Sequence, residues 1–370
     1  MRVTIDAIPL LVRSAGIKNY LYYWTRYLRR ESRDLDIKLF PYLHGSGELD
    51  HEGSVTNPLS TIARLGLLFV MNRTPPVFTD LVIPQTDIFH TCKVLFPPKR
   101  ARLTATVHDL TCWLMPETHR PQNVVADLRF ADLILKRADG LIAASAATRD
   151  DAIRILGLPP EKFHVIYHGI ADPYFQVTAD NAQQARARHG LDRPYLLAVG
   201  TIEPRKNVDL LLDSYAALPA LIREEFDLVF AGPPGWAASK TKVRLQHPPP
   251  GVRYIGYVDE DHMPGIFAGA TALVYPSKYE GFGFPVAQAM ATGTPVITSN
   301  VSALPEVAGG AAILVDPHSE AELRDAMRDL LTSPATRARL IELGRANARR
   351  FTWEEAARQS ISFFEGVAGR

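Results

Sequence analysis

Two cysteines, Cys92 and Cys112, are all that 370 residues contain. Neither stands in a CxxC or metal-type spacing, which excludes a disulfide framework and a zinc module and fits a reducing compartment such as the cytoplasm. Long hydrophobic runs are missing too. The longest apolar stretch, Leu65 to Met71, falls well short of the roughly 18 residues that a membrane-spanning helix requires. The N-terminal residues MRVTIDA run straight into a strand-like pattern, so no signal peptide is expected. Net charge is almost absent, at +1, which argues against a general nucleic-acid binder. No GxGxxG follows the first strand, which counts against a nicotinamide-dependent dehydrogenase. No DxD-like motif stands where it would hold a metal, so no metal is expected. Short repeats and low-complexity tracts are likewise missing.

What is present is an ordinary enzyme-like composition, 46% hydrophobic and 22% charged. A chain of this length buries a large core without disulfides. The small net charge is unevenly spread, at +4 over residues 1–170, −3 over residues 171–370, and +5 over residues 1–33 alone. Short β-rich runs recur at Arg2–Ala7, Asp36–Leu43, Ile88–Thr91, Arg102–Asp109, Gly140–Ser145 and Phe163–Gly169. A second series follows at Tyr195–Thr201, Phe226–Gly232, Val252–Val258, Ala272–Ser277, Pro295–Ser299 and Ala311–Asp316. Several are continuously apolar, as strands covered on both faces are, and helical periodicity fills most gaps. The alternation predicts an α/β protein with two Rossmann-like domains built on parallel sheets. A boundary is expected near Ala171–Leu191, where Asp172-Pro173 breaks the pattern. Irregular stretches at His44–Pro58 and Pro233–Gly251 read as loops.

In open α/β sheets ligands bind beyond the carboxyl ends of the strands. The run Tyr195–Val199 leads into Gly200-Thr201, then Arg205-Lys206-Asn207, then an amphipathic helix. Two adjacent cations between a strand end and a helix start suit a diphosphate, although a solvated basic pair has the same pattern. Asn207 is placed to cap the helix. The run Ala272–Ser277 leads into Glu280-Gly281-Phe282-Gly283-Phe284-Pro285, and Gln288 follows in the early turns of a helix. Pro285 suits a first helical turn, and Gly281 and Gly283 free backbone N–H groups to face a ligand. A carboxylate and an amide near a polyhydroxylated ligand would hydrogen-bond its hydroxyls.

These two segments resemble the GT-B glycosyltransferases of family 4, with their G-T-x-x-x-R-K-N segment and E-x7-E motif. The resemblance extends over essentially the whole chain. Ser14–Tyr20, with Gly16, resembles the family's first Gly-rich loop, and Thr106-Val107-His108-Asp109-Leu110 resembles a segment of its mannosyltransferase-like branch. Ala144–Asp151, Val165–Ile170 and Phe351-Thr352-Trp353 resemble three further family segments, with His168 where Asn is usual. Gln288 departs from the pattern, standing where a second Glu usually holds the ribose.

The resemblance implies a retaining transferase moving a sugar, mannose as the first choice, from a nucleotide-diphosphate sugar to a glycan or lipid-linked glycan. GDP-mannose or a UDP-sugar would be the donor. Arg205 and Lys206 would hold the diphosphate, Glu280 the donor sugar's hydroxyls, and the backbone of Gly281, Phe282, Gly283 and Phe284 sugar and phosphate. Gly200 and Thr201 would border the donor, Gln288 the ribose, and Gly16 would admit phosphates or acceptor. His108 would lie near the transferred sugar, with Asp109 either orienting it or capping the next turn. The implied domains are 1–171, joined by a C-terminal helix at about 354–370, and 172–353, on either side of a cleft. A GT-B sugar-nucleotide epimerase and a non-catalytic relative are the alternatives. Within residues 17–33, Ile17, Tyr20, Leu21, Trp24 and Leu28 form a core-type stripe. The remaining aromatics and cations there are read as a peripheral contact with the inner membrane face or as a solvated helix surface.

Overall fold

The computed structural model describes residues 1–12, 16–32, 34–43, 49, 53–74, 76–83, 85–236 and 239–369. The chain divides into two compact units, one of residues 1–169 with 351–370, the other of residues 170–350.

The first unit holds a parallel sheet ordered β2-β1-β3-β4-β5-β6. Its strands are β1 (Arg2–Asp6), β2 (Asp36–Phe40), β3 (Ile88–Thr91), β4 (Arg102–Val107), β5 (Gly140–Ala143) and β6 (Phe163–Val165). The second unit holds a parallel sheet ordered β12-β11-β10-β7-β8-β9, made of β7 (Tyr195–Val199), β8 (Asp227–Ala231), β9 (Val252–Gly256), β10 (Ala272–Tyr275), β11 (Val296–Ser299) and β12 (Ile313–Val315). Both are the two-layer-covered sheets the strand–helix alternation predicts. Central strands β3, β5, β10 and β11 are buried at every residue, which is why their sequences show no polar alternation. Several strands end earlier than their apolar runs. β2 stops at Phe40, where Pro41 and Tyr42 form a turn, and β4 stops at Val107, freeing His108 and Asp109 for a loop.

Helix starts follow capping chemistry. The Ser145 hydroxyl accepts from Thr148 N at 3.0 Å and the Thr352 hydroxyl from Glu355 N at 3.2 Å. The latter opens the helix Trp353–Ala368, which packs against the helix Gly16–Glu31 in the first unit. Trp24 Nε1 donates to Ser360 Oγ at 2.9 Å across that contact, and Trp24 and Phe364 are both fully buried.

The core stripe on Gly16–Glu31 is confirmed at Tyr20, Leu21, Trp24 and Leu28. The polar remainder of this helix is less available than its sequence implies. Lys18 and Tyr22 are buried, because Lys18 Nζ reaches Gly53 O at 2.5 Å and Tyr22 OH accepts from Arg26 at 2.5 Å. Arg30 is held by Glu31 at 3.1 Å and Glu354 at 2.5 Å. Lys18 thus serves packing within the unit, while Arg26, Arg29 and Arg30 remain exposed on the helix surface.

Candidate active site

In the second sheet the strand order reverses between β7 and β10, which lie side by side as parallel neighbours. The crevice at such a reversal is where doubly wound sheets take ligands. The loops leaving these two strands carry Gly200 to Asn207 and Pro276 to Gly283. They interlock: Lys278 N donates to Arg205 O at 2.9 Å, and Asn207 Nδ2 donates to Pro276 O at 3.1 Å and Pro317 O at 2.7 Å. Asn207 is therefore not the side-chain cap that its sequence position predicts. It sits at φ 60° and its amide ties three loops together instead.

That scaffold brings Arg205, Lys206 and Glu280 into one cluster. Arg205 Nη1 lies 2.5 Å from Glu280 Oε2 and donates to Tyr279 O at 2.7 Å, while Nη2 donates to Glu203 Oε1 at 2.6 Å. Lys206 Nζ donates to Glu280 Oε1 at 2.7 Å and to the Tyr275 hydroxyl, which itself donates to Glu280 Oε1 at 2.8 Å. The backbone N of Glu280 donates to Ser302 Oγ at 2.9 Å. The four charged side chains are 8–14% exposed. Burial alone would raise the Glu280 pKa, but Arg205 and Lys206 outweigh it and hold the carboxyl down at about 2. Two cations and two carboxylates make a locally neutral cluster. Of the three protons on Lys206, two are used, leaving one to offer a ligand.

Two helices begin beside this cluster, Val208–Ala216 and Phe284–Thr292, and neither has a side-chain cap hydrogen bond. Their first N–H groups carry positive potential suited to phosphate. Gly283 holds the cap position of the second at φ 96°, a conformation that strains any residue with a Cβ. A cavity at the ends of β7 and β10 is lined by Gly200, Thr201, Lys206, Tyr275 and Pro276. Opposite Gly200, a Cβ on Gly232 would lie 2.1 Å from the Gly200 carbonyl oxygen, so the two loops meet backbone to backbone. Gly281 and Phe282 are buried, and the Phe282 and Phe284 rings meet edge to face at 5.4 Å. Gln288 is half-buried on the second turn of its helix and makes no hydrogen bond to the charged cluster among the described residues.

Three participants escaped the sequence reading. Glu203 and Tyr275 look like a loop acid and a strand aromatic until the fold sets them against Arg205 and Glu280. Asn207 looks like a cap. The one available signal was Glu203 two residues before Arg205 in the same loop.

The first unit places His108 directly after β4. Burial pulls its pKa down to about 4, and nearby Lys93 adds to this while Asp109 opposes it. The ring is therefore neutral near pH 7. Its Nε2 is buried and has no hydrogen-bond partner among the described residues. Asp109 caps the next turn, its Oδ1 accepting from Thr111 N at 2.9 Å and Thr111 Oγ1 at 2.6 Å. His108 stands edge-on to Tyr20 at 4.9 Å and 5.6 Å from the His168 ring. Burial also pulls His90 to about 3 and lowers His168, so this aromatic cluster carries no charge near neutrality. Gly16 is the exposed first residue of its helix, and a Cβ there would meet nothing within 4 Å; the rest of its loop, residues 13–15, lies outside the described residues.

Comparison with known proteins accords with this geometry. The family described as glycosyl transferases group 1 matches residues 180–347, and glycosyltransferase family 4 matches residues 14–172. The O-antigen chain mannosyltransferase B of Escherichia coli is 28% identical over 99% of this chain and 100% of its own length. An MMP alpha-(1->4)-mannosyltransferase of Mycolicibacterium hassiacum is 31% identical over 64% of this chain and 56% of its own. Among solved structures, sucrose-phosphate synthase from Thermosynechococcus elongatus superposes with a TM-score of 0.76 at 22% identity, covering 99% of this chain and 98% of that one. An Anabaena protein solved with UDP-glucose gives a TM-score of 0.71 at 17% identity, covering 100% and 99%. Two parallel six-stranded sheets, the motif-bearing loops at a strand-order reversal and matches across both halves agree: the chain belongs to the group 1, family 4 glycosyltransferases and is an enzyme of the GT-B fold.

Proposed function

We propose that this glycosyltransferase moves mannose from GDP-mannose to a glycan or lipid-linked glycan acceptor, with retention of anomeric configuration. The observation that carries the reading is the Arg205–Lys206–Glu280 cluster between two uncapped helix starts. The full-length likeness to an O-antigen chain mannosyltransferase supports mannose.

Breaking the donor's glycosidic bond builds negative charge on the departing diphosphate and positive character on the sugar. Arg205, Lys206 and the two helix starts stabilise that charge, so protein cations do the work a divalent metal does elsewhere. Glu280 holds both cations in place and offers its remaining acceptor capacity to sugar hydroxyls. In this reading the His108 ring, neutral near pH 7, serves the transferred sugar, as the family resemblance implies. The reaction runs as a front-face ion pair, with the leaving phosphate taking the acceptor's proton. A lipid-linked acceptor places the enzyme at the cytoplasmic face of a membrane.

The test is incubation of purified protein with GDP-mannose or UDP-glucose, with and without a mannose-terminated acceptor, in buffer containing EDTA. The reading expects GDP release coupled to an α-mannosyl product by NMR. A β-linked product, a glycosyl-enzyme adduct in the mass spectrum, activity abolished by EDTA, or turnover of UDP-glucose alone contradicts it. An epimerised nucleotide sugar would favour the epimerase alternative, and binding without turnover a non-catalytic relative.

A further inference from the structure

The helix Pro58–Met71 turns an apolar face outward. Leu59 is 82% exposed, Ile62 67% and Phe69 57%, and Val70 is exposed beside them. Spaced at 59, 62, 69 and 70, they fall on one side, and the exposed positions between them, Ala63 and Gly66, are small and uncharged. A surface helix normally buries its apolar stripe and gives charge to solvent. Here Leu67, Leu68 and Met71 already serve the core, so the second stripe has no packing role. On the short helix Pro76–Val82, which packs against this one, Leu81 is 75% exposed.

Between Glu52 and Asp80 the charges have one sign. Residues 53–79 contain Arg64 and Arg73 and no Asp or Glu. The Arg73 guanidinium lies 3.6 Å from the centroid of the Phe69 ring. Arg64 reaches Pro41 O at 3.0 Å and Ser60 O at 3.3 Å, and neither arginine is paired with a carboxylate among the described residues. Asp80, the next acid along, lies on the helix Pro76–Val82 and accepts the backbone N–H of Lys99 at 2.8 Å.

We propose that this face docks on an anionic lipid bilayer, with Leu59, Ile62 and Phe69 entering the acyl boundary and Arg73 meeting lipid phosphate above its own aromatic neighbour. An apolar stripe edged by arginine is the pattern of a helix lying in a membrane interface. A second copy seated there would add arginines but no carboxylate from residues 53–79 to pair with them. The proposal gives the membrane contact of the functional reading a location; docking is measured without turnover, so its failure leaves the transfer chemistry standing.

The experiment is co-sedimentation at low salt with vesicles of phosphatidylglycerol and phosphatidylcholine, or of phosphatidylcholine alone. Wild type is expected to bind the anionic vesicles and to be released by salt. Leu59→Ser/Ile62→Ser, both highly exposed positions, is expected to weaken binding at least about tenfold while donor turnover stays at the wild-type rate. Arg73→Gln is expected to lower affinity for the anionic vesicles and leave phosphatidylcholine unaffected. Wild type that ignores anionic vesicles, or a double variant that binds like wild type, overturns the proposal. So does a wild-type dimer that the double variant turns into a monomer, since the face would then belong to a second copy.

Discussion

Replacing Lys206 with Met keeps most of the side chain's length and removes its charge, so the ammonium's contribution can be isolated. The Lys206 side chain is 14% exposed, where a charge is poorly screened and acts on nearby charge more strongly than at the surface. Losing one preorganised cation from a departing diphosphate should cost about 3 kcal/mol of transition-state stabilisation, roughly a hundredfold in turnover. Stability should change with it. The Glu280 carboxyl falls from 4.5 in an exposed setting to about 2 in the fold. A depressed carboxyl stabilises the native state fully above about pH 4.5 and loses that contribution as pH falls through about 2; the shift corresponds to about 3 kcal/mol at neutral pH. With Met at 206 Arg205 is the one cation left in contact with the carboxyl among the described residues, so the native Glu280 pKa rises and acid unfolding begins at higher pH. The assays are steady-state kinetics with GDP-mannose and a pH series of urea melts followed by circular dichroism. Turnover within threefold of wild type, together with an unmoved acid-unfolding profile, would refute the reasoning.

Tyr275→Phe removes only the hydroxyl that accepts from Lys206 and donates to Glu280; turnover should fall about tenfold, with a stability loss of about 1.5–3 kcal/mol in urea melts. Gln288→Glu restores the carboxylate that the family usually has at this position; if the ribose is bound there, calorimetry should show tighter GDP binding, whereas weaker binding would move the ribose elsewhere. Ser360→Ala strands the buried Trp24 N–H and should cost about 1–3 kcal/mol of stability without changing the Michaelis constant for donor.

The fold was legible because parallel strands covered on both faces write themselves as apolar runs. Ala272–Tyr275 and Val296–Ser299 are buried at every position and were recognisable without any partner. Strand ends were harder: the residues after Val107 and Phe40 remain compatible with a strand by pattern, and only the missing ladder partners end it. The charged pair Arg205-Lys206 and Glu280 were readable because glycines, prolines and cations at strand ends have few structural uses. Their supports were not, because the partners are distant in sequence. Tyr275 and Lys206 are 69 residues apart, and Asn207 and Pro317 110. Nothing local distinguishes a tyrosine filling a core from one bridging an ion pair, or an asparagine capping a helix from one binding two carbonyls. The outward apolar stripe of Pro58–Met71 was hidden for a related reason. An apolar residue in a helix reads as core until the packed face is known, and here both faces are apolar.

The most direct measurement is a crystal structure of the protein soaked with GDP. The account predicts diphosphate oxygens within about 3.2 Å of Arg205 and Lys206 nitrogens, at the start of the helix Phe284–Thr292. A diphosphate bound elsewhere, with both cations still engaged only by Glu203, Glu280 and Tyr275, would contradict it.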